Sequence, residues 1–250
     1  MDGVRSFSHP RRPGFADCAP SGRMRMDAIA CWLQDVAFAD VEDAGLERVA
    51  VWVVRRTRIR VHRWPRFGER FSLTTFCSGV GRMWAERRTD ITRTSGPGGI
   101  DGDLDGGEAG DGGAAGADVE AVSLWVHLDP ERWTPSKVTA AELAVYGGLN
   151  QTRRVSHRLR HPPPPRLDGG RPWTFRATEC DIADHVNNAA YWQPLEEELL
   201  SGDEPERLDA ELEYRVPAQP GPIRVVGDGE RRWLVGEGDA VHASLRLDRS

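Results

Sequence analysis

The sequence predicts an α+β protein made of two similar halves, in each of which an antiparallel sheet folds over one helix. Each half has a helix-like run followed by several strand-like runs with Gly and Pro at the turns. Between the halves, four consecutive prolines, Pro162 to Pro165, favour an extended segment that cannot lie inside a sheet. An offset of 162 residues places Cys18 over Cys180 and superposes the loops that precede the two helices, which indicates a duplicated unit.

These observations divide the chain into a first domain at 1–148, a Pro-rich linker at 149–170 and a second domain at 171–250. In the first domain, residues 1–13 are basic and contain prolines, so we expect a loose lead-in. Residues 95–118 are dominated by Gly, Asp and Ala and predict a disordered insert, because they hold too few apolar groups to offset the entropy of ordering.

The helix of the first half is predicted over 24–43, where apolar residues recur at helical spacing and Gly45 follows as a stop. Alternating runs predict the strands of this half at 50–62, 70–78, 82–93 and 119–128, and a short helix at 139–146.

In the second half, a strand is predicted at 172–178 and a helix at 191–200, with Asn187 or Asn188 as its N-cap. Because Pro194 removes a backbone hydrogen bond, this helix either starts near residue 191 or bends at the proline. Further strands are predicted at 208–216, 223–226, 231–235 and 240–247.

Composition limits the classes of function. With 250 residues and 39% hydrophobic content, the chain can bury one large core or two small ones. A net charge of -6, with arginines scattered among acids, argues against nucleic acid as an obligate partner. No run is long enough to span a membrane, and the N-terminus lacks the apolar core of a signal peptide, so we expect a cytoplasmic protein. The four cysteines show no C-x-x-C spacing and the seven histidines are dispersed, so no metal or cofactor is predicted.

The candidate site lies between the predicted strand and helix of the second half. There Asp181 precedes His185 by four residues, and Asn187 and Asn188 follow. A helix N-terminus presents free N–H groups that can polarise a carbonyl. A carboxylate beside it can act as general base or nucleophile, with the imidazole orienting it. The alternative is a capped helix with polar surface residues.

The pattern D-x-x-x-H-V-N-N-x-x-Y over 181–191 resembles the signature of hotdog-fold thioesterases, and especially of the fatty acyl-ACP thioesterase family. Residues 63–69 and 125–129 are similar to the first domain of that family. The resemblance implies two tandem hotdog domains, each an antiparallel sheet wrapped around a central helix. It also implies hydrolysis of fatty acyl thioesters carried on acyl carrier protein or coenzyme A, in fatty acid biosynthesis.

Residue roles follow from the same resemblance. Asp181, His185 and Asn187 occupy the catalytic positions; Asn188, Tyr191 and Trp192 are predicted to bind substrate; and Glu196 and Glu197 are backup carboxylates, for which a solvated helix face is the favoured interpretation.

Two positions depart from the plant enzymes of the family. Those enzymes have a catalytic Asn where this chain has Ala183, and a Glu-Cys pair where this chain has Pro217 and Ala218. In the first half Ala19 lies opposite Asp181 and Arg23 opposite His185, which predicts a degenerate site whose domain mainly shapes the acyl pocket.

Other hypotheses stay open at this point. The departures favour an acyl-binding module without turnover, and a hotdog enoyl-thioester hydratase or dehydratase also uses an acid and a histidine. The fused repeats predict either a monomeric pseudo-dimer or a homodimer. Arginines near the pocket mouth could contact an acidic carrier, the candidates being Arg55, Arg56, Arg58 and Arg60.

Overall fold

The structure, a computed structural model, describes residues 5–46, 51–95, 116–129, 131–146, 156–165 and 169–249. Most of the predicted insert at 95–118 and much of the predicted linker at 149–170 lie outside these ranges. In the described residues the helices are α1 Met26–Asp43, α2 Ala140–Tyr146 and α3 Gln193–Leu200. The strands are β1 Ser6–Arg11, β2 Val51–Val61, β3 Arg70–Val80, β4 Trp84–Ser95, β5 Val119–Leu128, β6 Arg171–Phe175, β7 Leu208–Tyr214, β8 Gly221–Asp228, β9 Arg231–Val235 and β10 Val241–Arg249.

The ten described strands form one sheet in the order β1-β3-β4-β5-β2-β7-β10-β9-β8-β6. Neighbouring strands are antiparallel throughout. Counted outward from the centre, each half runs through its second, fifth, fourth, third and first strand. The sheet therefore has a pseudo-twofold axis between β2 and β7, as expected for two copies of one unit.

Opposite charges join the two halves across this axis. On β2, Arg58 and Arg60 both bind Asp209 of β7, and Arg56 Nε lies 3.8 Å from Glu211 Oε2. Such cross-strand pairs add to the stability of the ladder. Arg55 of β2 likewise donates to the Arg215 carbonyl at 2.9 Å, so all four arginines considered as carrier contacts are engaged in holding the halves together.

The helices α1 and α3 share one core with the sheet. α1 packs against α3 and against the 3-10 turn Asn188–Trp192 that precedes α3. Buried side chains from α1, such as Ile29 and Trp32, belong to the same cluster as Trp192 and Leu195. No helix in the described part of the chain combines the length and apolarity needed to cross a membrane.

The prediction of a loose lead-in over residues 1–13 was wrong, because Ser6–Arg11 forms the edge strand β1 paired with β3. A proline is tolerated here, since the edge of a sheet leaves one side of a strand without ladder hydrogen bonds. Arg11 also binds Asp35 of α1. The pairing partners are 60 to 70 residues away in sequence, so the local pattern did not indicate this strand.

The start of the helix in the second half shows which asparagine is the N-cap and whether the helix bends at Pro194. Asn187 is the N-cap, and its side chain accepts a hydrogen bond from the Ala189 N–H. The chain then passes through the 3-10 turn, and the α-helix begins at Gln193 with Pro194 in its first turn. At that position a proline removes no helical hydrogen bond, so the helix needs no bend.

Candidate active site

The same loop geometry precedes both helices at the 162-residue offset. The 3-10 turns Phe15–Asp17 and Ala177–Glu179 correspond residue for residue. Asp17 and Glu179 each accept a hydrogen bond from the N–H three residues earlier, at 2.8 Å and 2.7 Å. Cys18 then bridges to Met24 as Cys180 bridges to Val186. Asp17 is therefore the counterpart of Glu179, and the first half carries Ala19 where the second carries Asp181.

The loop from Asp181 to His185 is closed by its own backbone. The Asp181 N–H donates to the His185 carbonyl at 3.1 Å, and the Asp184 N–H donates to the Asp181 carbonyl at 3.1 Å. Asp184 has a φ of 58°, and its counterpart Gly22 has a φ of 83°. This left-handed conformation favours Gly but is tolerated by Asp. The tight loop brings the acid and the imidazole to the same side.

The Asp181 carboxylate is partly exposed, at 22%, and its oxygens have defined neighbours. The Ala183 N–H donates to Oδ1 at 2.9 Å, and Asn187 Nδ2 lies 3.4 Å from Oδ2. The His185 Nδ1 atom is 3.7 Å from Oδ1. An accessible carboxylate with an adjacent imidazole and amide can accept a proton from water or attack a carbonyl.

Asn187 joins this acid to the helix start. Its Oδ1 accepts hydrogen bonds from the Ala189 N–H at 2.8 Å and from Gln34 Nε2 at 3.0 Å. Because the backbone N–H can only donate, Oδ1 must face the helix and Nδ2 must face Asp181. With Ala189 capped, the N–H of Asn188 is the first-turn donor that can meet a ligand. Sequence reasoning missed Gln34, which lies on α1 in the first half.

Tyr191 and Trp192 lie beneath the loop. The Tyr191 hydroxyl accepts from the Ala218 N–H at 2.7 Å, and burial raises the pKa of Tyr191 to about 12. Trp192 is fully buried and donates to the Tyr214 hydroxyl, which in turn donates to the Asn188 carbonyl at 3.0 Å. These contacts favour a supporting role for both aromatic residues over the predicted contact with substrate.

The two helix carboxylates have different surroundings. Glu197 is exposed as expected, but the prediction of a solvated face was wrong for Glu196, which is 3% exposed. Its Oε1 lies 2.9 Å from Arg23 Nη2, and its Oε2 accepts the Met26 N–H at 3.0 Å. Arg23 occupies the position of His185 in the first half, so Glu196 is committed to the degenerate site and is not a free base.

An apolar cavity of about 360 Å³ opens beside the candidate site. It lies between α1 and the sheet of the first half, and Gln34 and the exposed Ile182 belong to its lining. At its other end Arg87 binds the buried Asp40, which lies about 9 Å further along α1 than Gln34 at the rise of an α-helix. Of the tryptophans in the chain, Trp52 and Trp125 line this cavity.

A second and larger depression, of about 660 Å³, is open and polar. It lies at the start of α1, where Arg25 and Asp27 form a bidentate pair, and it includes Glu196 and Glu197. The two acids that lie at the start of α1 are already engaged, Asp27 with Arg25 and Glu196 with Arg23, so neither is free to act as a base. We therefore place the candidate site at Asp181 and not in the larger depression.

One group of described residues brings three potential metal ligands together, namely His161, Glu211 and Glu213. Arg56 lies 3.8 Å from Glu211, and Arg215 Nη2 lies 3.6 Å from Glu213 Oε2. Both carboxylates thus already have cations, and Glu213 also accepts the His161 N–H. The group is explained as an anchor for the segment around His161 on the sheet.

Comparison with known proteins finds a family match over about a third of the chain and relatives over most of it. Residues 14–99 match the family model described as the acyl-ACP thioesterase N-terminal domain. Two uncharacterised proteins of Mycobacterium tuberculosis, from strains CDC 1551 and H37Rv, are each 27% identical over 239 residues, which covers 91% of this chain and 85% of theirs.

Solved structures share the whole architecture. An acyl-ACP thioesterase from Bacteroides thetaiotaomicron aligns with a TM-score of 0.76 at 17% identity, covering 98% of both chains. The 12:0-ACP thioesterase from Umbellularia californica aligns with a TM-score of 0.69 at 16% identity, covering 99% of both chains. The predicted fold of two tandem hotdog units is confirmed.

Proposed function

We propose that this chain is a member of the acyl-ACP thioesterase family and that it hydrolyses fatty acyl thioesters to a free fatty acid and a thiol. The observation that carries this proposal is the partly exposed Asp181 carboxylate at a helix start, beside an apolar cavity that begins at Gln34. An apolar cavity next to a few polar groups is the usual form of a site for a small, largely apolar ligand.

In the proposed mechanism the acyl chain occupies the cavity and the thioester carbonyl lies at the start of the 3-10 turn Asn188–Trp192. The Asn188 N–H stabilises the negative charge that develops on the carbonyl oxygen. Asp181 accepts a proton from water, the resulting hydroxide adds to the carbonyl carbon, and the C–S bond breaks. The thiolate leaves readily because a thiol pKa is about 8.5, and it then takes up the proton.

Direct attack by Asp181 is the alternative route. The carboxylate oxygen then forms a bond to the carbonyl carbon and displaces the thiolate, giving an anhydride that water hydrolyses. In both routes the Asn187 amide and the Ala183 N–H hold the carboxylate. The His185 imidazole, with Nδ1 3.7 Å from Asp181 Oδ1, lies beside the acid on the same side of the loop.

The departures from the plant enzymes are compatible with this simpler scheme. At position 183 the backbone N–H contacts Asp181, so support for the acid does not depend on the side chain there. At position 218 the N–H binds Tyr191 and the carbonyl accepts the Val186 N–H, so this segment holds the site loop. We propose Asp181 as the sole catalytic carboxylate.

The carrier is acyl carrier protein or coenzyme A, and we assign the reaction to fatty acid biosynthesis in the cytoplasm. We also retain the division into domains at 1–148 and 171–250 with a linker between them. The first domain provides the acyl cavity and the second provides the acid.

The test is release of thiol from acyl-CoA and acyl-carrier substrates of several chain lengths. Asp181→Asn keeps the shape of the side chain and should lower kcat by at least about 10²-fold, because the base or nucleophile is lost. Asp184→Asn is the matched control, since this residue lies in the same loop and Asn tolerates its left-handed backbone.

Other outcomes point to the rival hypotheses. Binding of acyl thioesters by the wild-type protein without thiol release would indicate an acyl-binding module. Addition of water to an enoyl thioester without release of thiol would indicate a hydratase. Equal loss of activity in Asp181→Asn and Asp184→Asn would contradict the specific role of Asp181.

A further inference from the structure

Among the described residues, Gln34 is the polar side chain of the first half that forms a hydrogen bond with the candidate site of the second. Its Nε2 donates to Asn187 Oδ1 at 3.0 Å. It also lines both the apolar cavity and a small void of about 10 Å³ that Asn188 and Ala189 share. Gln34 therefore lies where the proposed acyl chain would pass from the cavity to the acid.

The contact constrains the direction of the Asn187 amide. Oδ1 accepts from both the Ala189 N–H and Gln34, so two donors hold it on the helix side. The Asn187 NH₂ group is then left to face Asp181 Oδ2. A primary amide that turns by 180° would present its oxygen to the carboxylate instead, and this would oppose the ionised acid.

The pseudo-twofold relation gives this contact a counterpart on the other side of the molecule. Glu196 stands at the 162-residue offset from Gln34, and it reaches from the second half to the helix start of the first, where it accepts the Met26 N–H at 3.0 Å. Both halves thus extend one side chain to the opposite helix start. Of these two side chains, the Gln34 amide can donate a hydrogen bond, whereas the Glu196 carboxylate accepts one. The side-chain oxygen of the N-cap Asn187 receives the Gln34 bond, and the corresponding N-cap of α1, Arg25, has no such oxygen.

We propose that Gln34 is a positioning residue for the thioesterase reaction, which fixes the Asn187 amide and through it the Asp181 carboxylate. The inference rests on the proposed function for its kinetic consequences but not for its geometry. It implies that the active site is incomplete without the first half, even though the candidate catalytic side chains all lie in the second.

Two variants separate the effects. Gln34→Leu removes the donor at similar volume, and Gln34→Glu replaces it with a carboxylate that repels Asn187 Oδ1 and adds negative charge near Asp181. Asp35→Asn is the matched control, because this exposed neighbour on α1 binds Arg11 at the surface. Thermal unfolding of each protein establishes that the variants are folded.

With an active wild-type enzyme, Gln34→Leu should lower kcat by about 10-fold to 100-fold with KM nearly unchanged, as is typical when an outer partner of a reacting group is removed. Gln34→Glu should also move the acidic limb of the kcat/KM profile to higher pH, because a like charge disfavours ionisation of the acid. Asp35→Asn should change neither quantity.

A second readout does not depend on turnover. The Asn187 side-chain amide signals in ¹⁵N-resolved NMR spectra should shift in Gln34→Leu and stay in place in Asp35→Asn. Unchanged kinetics and unchanged amide signals in both Gln34 variants would overturn the inference. An inactive wild-type protein would overturn the proposed function, and the amide signals would then decide the positioning role on their own.

Discussion

The two loops that precede the helices have corresponding backbone hydrogen bonds but different side chains. In the second half, Asp181 and His185 remain partly exposed, and an uncharged Gln34 arrives from the other half. In the first half, Ala19 replaces the acid, and Arg23 is buried against Glu196. The bond that closes the loop is retained in both, since the Ala19 N–H donates to the Arg23 carbonyl as the Asp181 N–H donates to the His185 carbonyl. The comparison teaches that the duplicated loop is a structural unit, whereas the reacting groups depend on which side chains cross between the halves.

The largest change in the free energy of unfolding is expected at the buried ion pair of Arg23 and Glu196, which lies where the second half has its candidate site. Arg23→Met leaves the Glu196 charge buried without its partner, and this should lower the free energy of unfolding by about 3–5 kcal/mol. The double variant Arg23→Met, Glu196→Met should recover part of the loss. Urea unfolding measures both, and thiol release per folded molecule should stay near the wild-type value.

Retention of full stability in Arg23→Met would show that the pair contributes little. It would also mean that the two helix starts differ less than their burial indicates, because an unpaired buried carboxylate is expensive only where water is excluded.

The second prediction concerns the cavity, which is in the half that lacks the acid. Ala85 lines this cavity, and Ala85→Phe should fill part of it. The value of kcat/KM for the longest acyl chain that the wild type accepts should fall by about 10-fold to 100-fold relative to the shortest, since a lost methylene contact is worth about 1–3 kcal/mol. The short-chain substrate on the same variant is the internal control.

If Ala85→Phe lowered the rates for all chain lengths equally, the acyl chain would not lie between α1 and the first-half sheet. This result would contradict the proposal that the first half provides the acyl cavity and the second half provides the acid.

The smallest effect is expected at the two N-caps. Asn187→Ala removes a capping hydrogen bond and should lower the free energy of unfolding by about 1 kcal/mol. Arg25 is the N-cap of α1 in the first half, but its side chain makes no capping hydrogen bond. Its partly exposed ion pair with Asp27 contributes about 0–1 kcal/mol to the free energy of unfolding. Chemical denaturation of Arg25→Ala beside Asn187→Ala tests this order, and a larger loss in Arg25→Ala would contradict it.

Much of the fold follows from local patterns. The strand at 119–128 and the 162-residue offset rest on alternation and on short motifs, and the structure reproduces both. Asn187 as N-cap could likewise be predicted, because capping depends on residues that are close in sequence.

The sequence patterns did not indicate β1 or the positions of Gln34 and Glu196. β1 is set by its pairing with β3, and both helix side chains act across the pseudo-twofold axis. A helical Glu beside other charges has the pattern of a solvated face, and only the distant Arg23 explains its burial. Contacts of this kind depend on which surfaces meet, and a periodicity within one segment carries no information on that.

The strand order around β2 and β7 also bears on how such a site could arise. In an assembly of two identical subunits related by a twofold axis, every residue that crosses the interface does so twice, so a substitution changes both sites together. Once the two copies are one chain, residues 34 and 196 can be inherited separately. One copy can then have an amide, Gln34, that binds Asn187 beside the acid, while the other has a carboxylate, Glu196, that binds Arg23. Two identical subunits cannot differ in this way.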